Sequence, residues 1–153
     1  MSFSELIVDE ARLADMPTII EILGEGQRQR TDFWNEETAP RYEALFRAIA
    51  ADPGVALIVA REDEKVLGVV QLVFTPGLTL GAPLKASLES VFIAASARGR
   101  GIGAKLVAAA EHRARTRGAR VIRLLSHKDR VDAHRFYRNQ GYAQSHEGFT
   151  KVL

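Results

Sequence analysis

Two rhythms of apolar and polar residues run along this chain, one of period two and one closer to four, and they divide it into strands and helices. Glu5 to Glu10 (ELIVDE) reads as a short strand. Asp15 and Pro17 look like an N-cap and an early helical residue. Ile19, Ile20, Ile22 and Leu23 follow as an apolar face, and the helix ends near Gly24 to Gly26. The polar stretch after it carries Phe33-Trp34 and reads as a mobile or partly helical connection. Those aromatics either line a substrate mouth or fold back onto the core. Tyr42, Leu45, Phe46 and Ile49 give Arg41 to Ala51 a helical spacing, stopped by Asp52-Pro53-Gly54. Val55 to Ala60 and Val66 to Phe74 are strands of a hairpin around a polar turn.

After Pro76-Gly77 and a loop over Leu78 to Pro83, Lys85 to Ile93 forms a third long strand. A glycine-rich turn then opens a helix from Gly101 to about Thr116, which Gly118 caps. Arg120 to Leu125 is a further strand, Arg130 to Asn139 a short helix closed by Gly141, and Tyr142 to Leu153 should hold one last strand. The order β-α-α-β-β-β-α-β-α-β predicts an α/β (α+β) chain whose single mixed sheet has helices on both faces. At 153 residues, with no linker or repeat, it is expected to be one domain over 1–153.

Charge changes the picture locally. The formal net charge is only +2, which argues against a general nucleic-acid binder. Between Arg98 and Arg138, however, arginines crowd the chain while the acidic residues are Glu111, Asp129 and Asp132. That half should carry a field suited to a polyanionic ligand, unless these are merely surface arginines on helices. The absence of cysteine excludes disulfides, thiolate catalysis and cysteine-bound zinc. No run approaches the roughly 18 apolar residues of a membrane helix, and no leader pattern is visible. A cytoplasmic protein without membrane partners is the expectation. Histidines 112, 127, 134 and 146 lack the spacing of a ligand set, so no metal site is expected.

The candidate chemistry centres on Arg98-Gly99-Arg100-Gly101-Ile102-Gly103, between a strand and a helix. There, free amides at a helix start can hold a phosphate, and glycines permit close approach. Neither the P-loop nor the dinucleotide fingerprint fits, so ATP and NAD are not indicated. The bland alternative is a glycine-softened loop with solvated arginines.

The R-x-x-G-x-G spacing, followed some thirty residues later by Ala133, Phe136, Tyr137, Gly141 and Tyr142 in A-x-x-F-Y-x-x-x-G-Y, resembles the GCN5-related N-acetyltransferases (GNAT). The tail over Ser126 to Lys151 resembles their aminoalkylphosphonate N-acetyltransferase subgroup. The resemblance implies a GNAT-type fold, a mostly antiparallel sheet with a splayed strand pair, and acetyl-CoA as donor with coenzyme A as product. It implies that Gly99, Gly101, Ile102, Gly103 and Ala104 offer amides to the pyrophosphate, with Arg98 and Arg100 flanking. Val91, Phe92 and Ile93 would pair with the pantetheine arm, and Ala133 and Phe136 would pack nearby. Tyr137 would be the general acid and Glu89 the base. Arg130 stands where many members have asparagine, which puts that local contact in question.

The chemistry fits these roles. An ammonium must lose a proton before it can attack, and a carboxylate raised by partial burial can take it. By simple alternation Glu89 shares a side with Val91 and Ile93. It could instead be a solvated acid, and Tyr137 a core aromatic. The implied acceptor is the amine of a small molecule, an aminoalkylphosphonate or amino-acid-like compound, and Arg28, Arg30 or Arg41 could suit its anion. The alternatives are a protein N-acetyltransferase and a non-catalytic acyl-CoA-binding protein. A homodimer is expected from the family.

Overall fold

A computed structural model describes residues 5–79 and 81–153. Its strands are β1 (Ile7–Glu10), β2 (Val55–Glu62), β3 (Lys65–Pro76), β4 (Leu84–Ile93) and β5 (Val121–Leu124). Its α-helices are α1 (Met16–Glu25), α2 (Ala39–Ala51), α3 (Ile102–Thr116) and α4 (Val131–Asn139). The strands form one sheet in the order β1-β2-β3-β4-β5, antiparallel except for the parallel β4–β5 pair. The parallel pair is possible because α3 lies between its strands in sequence and provides the crossover. Leu80, inside the loop expected from Leu78 to Pro83, is outside the described residues.

Each face of the sheet has its own core. Leu72, Ala86 and Leu88 pack against Leu106, Val107 and Ala110 of α3. On the other face Val59, Val66 and Val69 meet Met16, Ile19, Ile20 and Ile22 of α1 and Tyr42 of α2. The period-two pattern of the strands therefore sorts their side chains between two helical layers. Asp63 and Glu64, both with positive φ, turn the β2–β3 hairpin, as a primed turn between right-twisted strands requires. Trp34 folds back, with its ring 6.2 Å from that of Tyr42, whereas Phe33 stays exposed under Arg30.

Two expectations are corrected. Asp15 starts α1 without a side-chain cap bond. Its carboxylate instead receives both terminal nitrogens of Arg61 at 2.9 Å, and Asp9 takes Arg61 Nε at 2.9 Å. Arg61 is 1% exposed, so these partners are what make its burial tolerable. The last strand is also missing: Tyr142 to Leu153 pairs with no strand. From Ala143 on the segment is exposed, with Phe149, Val152 and Leu153 in the open. The polar run Gln144 to Glu147 has no alternating apolar face to bury, so ladder bonds there would have little packing to support them.

Candidate active site

The site is built where β4 parts from β5. Their pairing runs from Lys85↔Val121 to Leu88↔Leu124 and stops, while β4 continues to Ile93. Glu89 to Ile93 thus leave one backbone edge outside any ladder to β5. On the other edge the β3–β4 register passes from Gln71↔Glu89 to Val69↔Phe92, so Ser90 and Val91 share a bulge. Ser90 there has φ 53, a left-handed conformation uncommon for a residue with a side chain.

The bulge changes which way Glu89 points. Leu88, Val91 and Ile93 all join the α3-side core, whereas Phe92 joins the α1 side. Glu89, next to Leu88 and before the bulge, therefore projects away from α3. It does not share a side with Val91 and Ile93, because one extra residue inverts the alternation. It is exposed, without the partial burial expected from sequence, and makes no hydrogen bond or ion pair to a described residue. Phe92 is held against the end of α1 by a close approach: a Cβ on Gly26 would come within 2.1 Å of two of its ring carbons. Arg130 lies 5.7 Å over the same ring and begins α4.

At the end of β4 the chain turns through Ala95–Ala97 into the glycine segment. Gly99 and Gly101 have φ 76 and 75, and nothing stands within 4 Å of where their Cβ atoms would be. The left-handed Gly101 caps α3 through its carbonyl, which accepts from Lys105 N at 3.3 Å. The amides of Gly99 to Ala104 donate to no described group. Those of Ile102 to Ala104 are the unbonded first amides of α3, and the Gly99 and Gly101 positions before them face open space, an arrangement that suits a phosphate group. Arg98 reaches back to the Ile93 carbonyl at 3.3 Å, and Arg100 is 2.6 Å from the Glu62 carboxylate. Arg100 is thus shared with the β2–β3 hairpin.

Phe136 of α4 closes the other wall, its ring carbons 3.5 to 3.7 Å from a Cβ placed on Gly103. Tyr137 packs edge-on between Phe136 and Tyr142, with centroids 5.1 and 5.8 Å away. Its phenol bonds to no described residue. Burial pushes its pKa above the ordinary tyrosine value, and the Arg130 charge opposes that shift in part. Tyr142 is held higher still by burial and by Glu111, to which its hydroxyl donates at 3.1 Å. Ala133 lies half-buried on α4.

One residue that the sequence offers only as a matching position of the tail, with no role, stands out here. Ser126, just beyond β5, has a buried hydroxyl with no hydrogen-bond partner among the described residues. Such groups are rare and call for an explanation. The tail likeness marks the position, but only the fold reveals that its hydroxyl is buried and unpaired. Free amides, an unpaired strand edge and this orphaned hydroxyl together fit a long polar ligand threaded between β4 and β5.

Three of the four histidines are spoken for locally. His134 Nε2 is 3.0 Å from the His127 carbonyl, His127 Nδ1 receives the Asp129 amide at 3.2 Å, and His146 pairs with Ser145 at 2.8 Å. Among the described residues no three potential ligands cluster.

The model of the acetyltransferase (GNAT) family matches residues 19–142. The chain belongs to that family. It is an N-acetyltransferase that uses acetyl-CoA as donor. Over 119 residues it is 37% identical to the aminoalkylphosphonate N-acetyltransferase of Salmonella typhimurium strain LT2, covering 78% of this chain and 77% of that one. The crystal structure of a protein described as a transcriptional regulator from Bacillus halodurans C-125 superposes with a TM-score of 0.92 at 34% identity, over 97% of this chain and 100% of that chain. Glucosamine-6-phosphate N-acetyltransferase from Arabidopsis thaliana shares the fold at 16% identity, with a TM-score of 0.83 over 97% and 99% of the two chains. No helix among the described residues is long and apolar enough to cross a membrane.

Proposed function

We propose that this GNAT domain acetylates the primary amine of a small molecule by direct transfer, with Glu89 as base and Tyr137 as acid. One observation carries the reading. Where β4 and β5 separate, an unpaired carboxylate points away from α3 while an unpartnered phenol stands on the α3–α4 side. A thioester lying in that gap would have a proton acceptor on one side and a donor on the other.

Acetyl-CoA, when bound, supplies an activated acyl carbon. The amides of Gly99 to Ala104 would hold its pyrophosphate, the free edge of Val91 to Ile93 its amide-bearing arm, and the Ser126 hydroxyl would gain a partner there. Glu89 takes the surplus proton of the incoming ammonium, directly or through water, so that the nitrogen lone pair can form the new C–N bond. Tyr137 delivers its proton to the sulfur as the C–S bond breaks. The nitrogen sheds its second surplus proton to water as the amide forms. The products are the N-acetylated amine and the free thiol of coenzyme A, after which Glu89 gives its proton to water and the Tyr137 phenolate takes one back.

The Salmonella relative names the acceptor class we favour, an amine carrying a phosphonate. The same reading takes the protein to be a cytoplasmic homodimer of a single domain. It draws on the outer edge of β5, which pairs with no described strand, and on the exposed Phe149, Val152 and Leu153. Sedimentation should show twice the mass of one chain.

The test is an amine panel with acetyl-CoA, on the natural chain and on Tyr137→Phe. The substitution should lower kcat by about 10²- to 10⁴-fold, the usual contribution of a positioned acid, with coenzyme A affinity changed less than about threefold. An undiminished rate at every pH would remove Tyr137 from this role.

A further inference from the structure

We propose that Arg123 reads an anionic group on the acceptor, so that the site selects zwitterionic amines: a primary amine joined by a short spacer to a phosphonate or carboxylate. The inference rests on the reading of Glu89 as the base and extends it to the other end of the substrate.

The side chains facing α3 on the last three strands include Leu72, Ala86, Leu88, Ile122 and Leu124. Their neighbours must face the other way, which brings Gln71, Ser87, Glu89 and Arg123 onto one surface. Arg123 stands directly opposite Ser87, and Glu89 lies two residues further along β4. Glu89 lies just past the last paired residue, Leu88, on the face that carries Ser87 and Arg123. Yet Arg123 and Glu89 form no ion pair. The surface presents an unneutralised positive and an unneutralised negative group side by side, the complement of a small zwitterion.

Arg123 is also the cation of this neighbourhood with the most to offer. Its one hydrogen bond runs from Nε to the Ser87 hydroxyl at 3.4 Å, while Ser87 itself is buried. Both terminal nitrogens are left to fork onto a planar or tetrahedral anion. The arginines that the sequence pointed to are committed elsewhere. Arg30 is paired with Glu21 at 2.5 Å, Arg28 with Asp129 at 3.2 Å, and Arg41 lies 4.8 Å over the Tyr42 ring.

The geometry also assigns a direction. An amine nitrogen at Glu89 sits at the point where β4 loses β5. The anion then lies back along the sheet, over the Ser87–Arg123 pair and away from the thioester. Lys85, two residues before Ser87 on the same face, adds a second positive charge at that end. Polyamines would meet repulsion there.

The experiment compares 2-aminoethylphosphonate, β-alanine and propylamine as acceptors for the natural chain, Arg123→Met and Arg123→Lys. The natural chain should use the two anionic amines with kcat/KM at least about tenfold above propylamine. Arg123→Met should shrink that ratio by roughly 10- to 100-fold, the effect of losing a charge-assisted forked contact. Arg123→Lys should recover part of it, because the charge stays and the fork is lost. Calorimetry of 2-aminoethylphosphonate onto the coenzyme A-loaded protein should show the same ranking in Kd. Equal use of all three amines, or a ratio in Arg123→Met within twofold of the natural one, overturns the assignment of Arg123 and leaves the acetyltransferase reading standing. No transfer to any of the three, with acetyl-CoA bound, overturns both.

Discussion

The two ends of this sheet treat polar groups in opposite ways. Where β1 meets β2, Arg61 is sealed from water, and every charge around it has a partner in Asp9, Asp15 or the Glu10 carbonyl. Where β4 leaves β5, the amides of Gly99 to Ala104, the Tyr137 phenol, the Ser126 hydroxyl and the Glu89 carboxylate have no described partner. A satisfied buried network holds one arrangement, and removing a member is costly. Of the unpartnered groups, the Ser126 hydroxyl is buried and costs stability until a partner arrives, whereas exposed groups such as Glu89 are met by water that a ligand can replace. The first end therefore reads as scaffold and the second as site.

Substitutions can break that contrast, beginning with the largest effect expected on folding. Arg61→Met leaves Asp15 buried without its cation and should cost about 3–5 kcal/mol in denaturant unfolding. A loss under 1 kcal/mol would mean that the network is not structural. Its pH dependence sharpens the point. Burial alone would raise the Asp15 carboxyl, but hydrogen bonds from Arg61 and from the Arg12 amide outweigh it and hold the group below the ordinary carboxylate range. A group lowered in the folded state adds stability above its unfolded value, near pH 4, and loses it as pH falls through the folded one. Asp15→Asn should flatten that acid slope, and an unchanged slope between pH 5 and 2 would exclude Asp15 as its source.

At the open end the expected costs to folding are small and the costs to ligand are larger. Gly101→Ala asks a side chain to adopt φ 75 and should cost about 1–2 kcal/mol of stability. It should also weaken coenzyme A binding measured by calorimetry, by disturbing the amides it caps. The raised Tyr137 pKa places the loss of the acid at high pH. Activity that depends on a protonated phenol should persist beyond the ordinary tyrosine value near 10 and fall only above it. A decline centred well below that value, and absent from Tyr137→Phe, would contradict the shift. The smallest change expected is Glu62→Gln. It releases Arg100 from an exposed pair and should tighten coenzyme A binding at low salt by less than about threefold.

Much of the fold was legible along the chain because local patterns and tertiary needs agreed. Ile19 to Leu23 form a helical face, Val66 to Phe74 a strand, and Gly118 and Gly141 end helices in the left-handed conformation, φ 83 and 90. The last strand was misread because a strand needs a neighbour, and Gln144 to Gly148 offer no apolar face to attract one. Asp15 was misread as a cap because the rule for caps is local, while the cation that claims it comes 46 residues later, in β2.

By itself the sequence pointed to acetyl-CoA as donor and to the segments proposed to hold it. The turn from Arg98 to Gly103 and the Phe136-Tyr137 pair are short, contiguous signals whose function needs only a helix start and a helix face. The tertiary structure decided where the groups proposed for the acceptor side stand. A one-residue bulge at Ser90 turned Glu89 away from Val91, and a parallel pairing across the α3 crossover set Arg123 beside Ser87. Those relations depend on register between strands distant in sequence, where a shift of one residue sends every side chain to the opposite face.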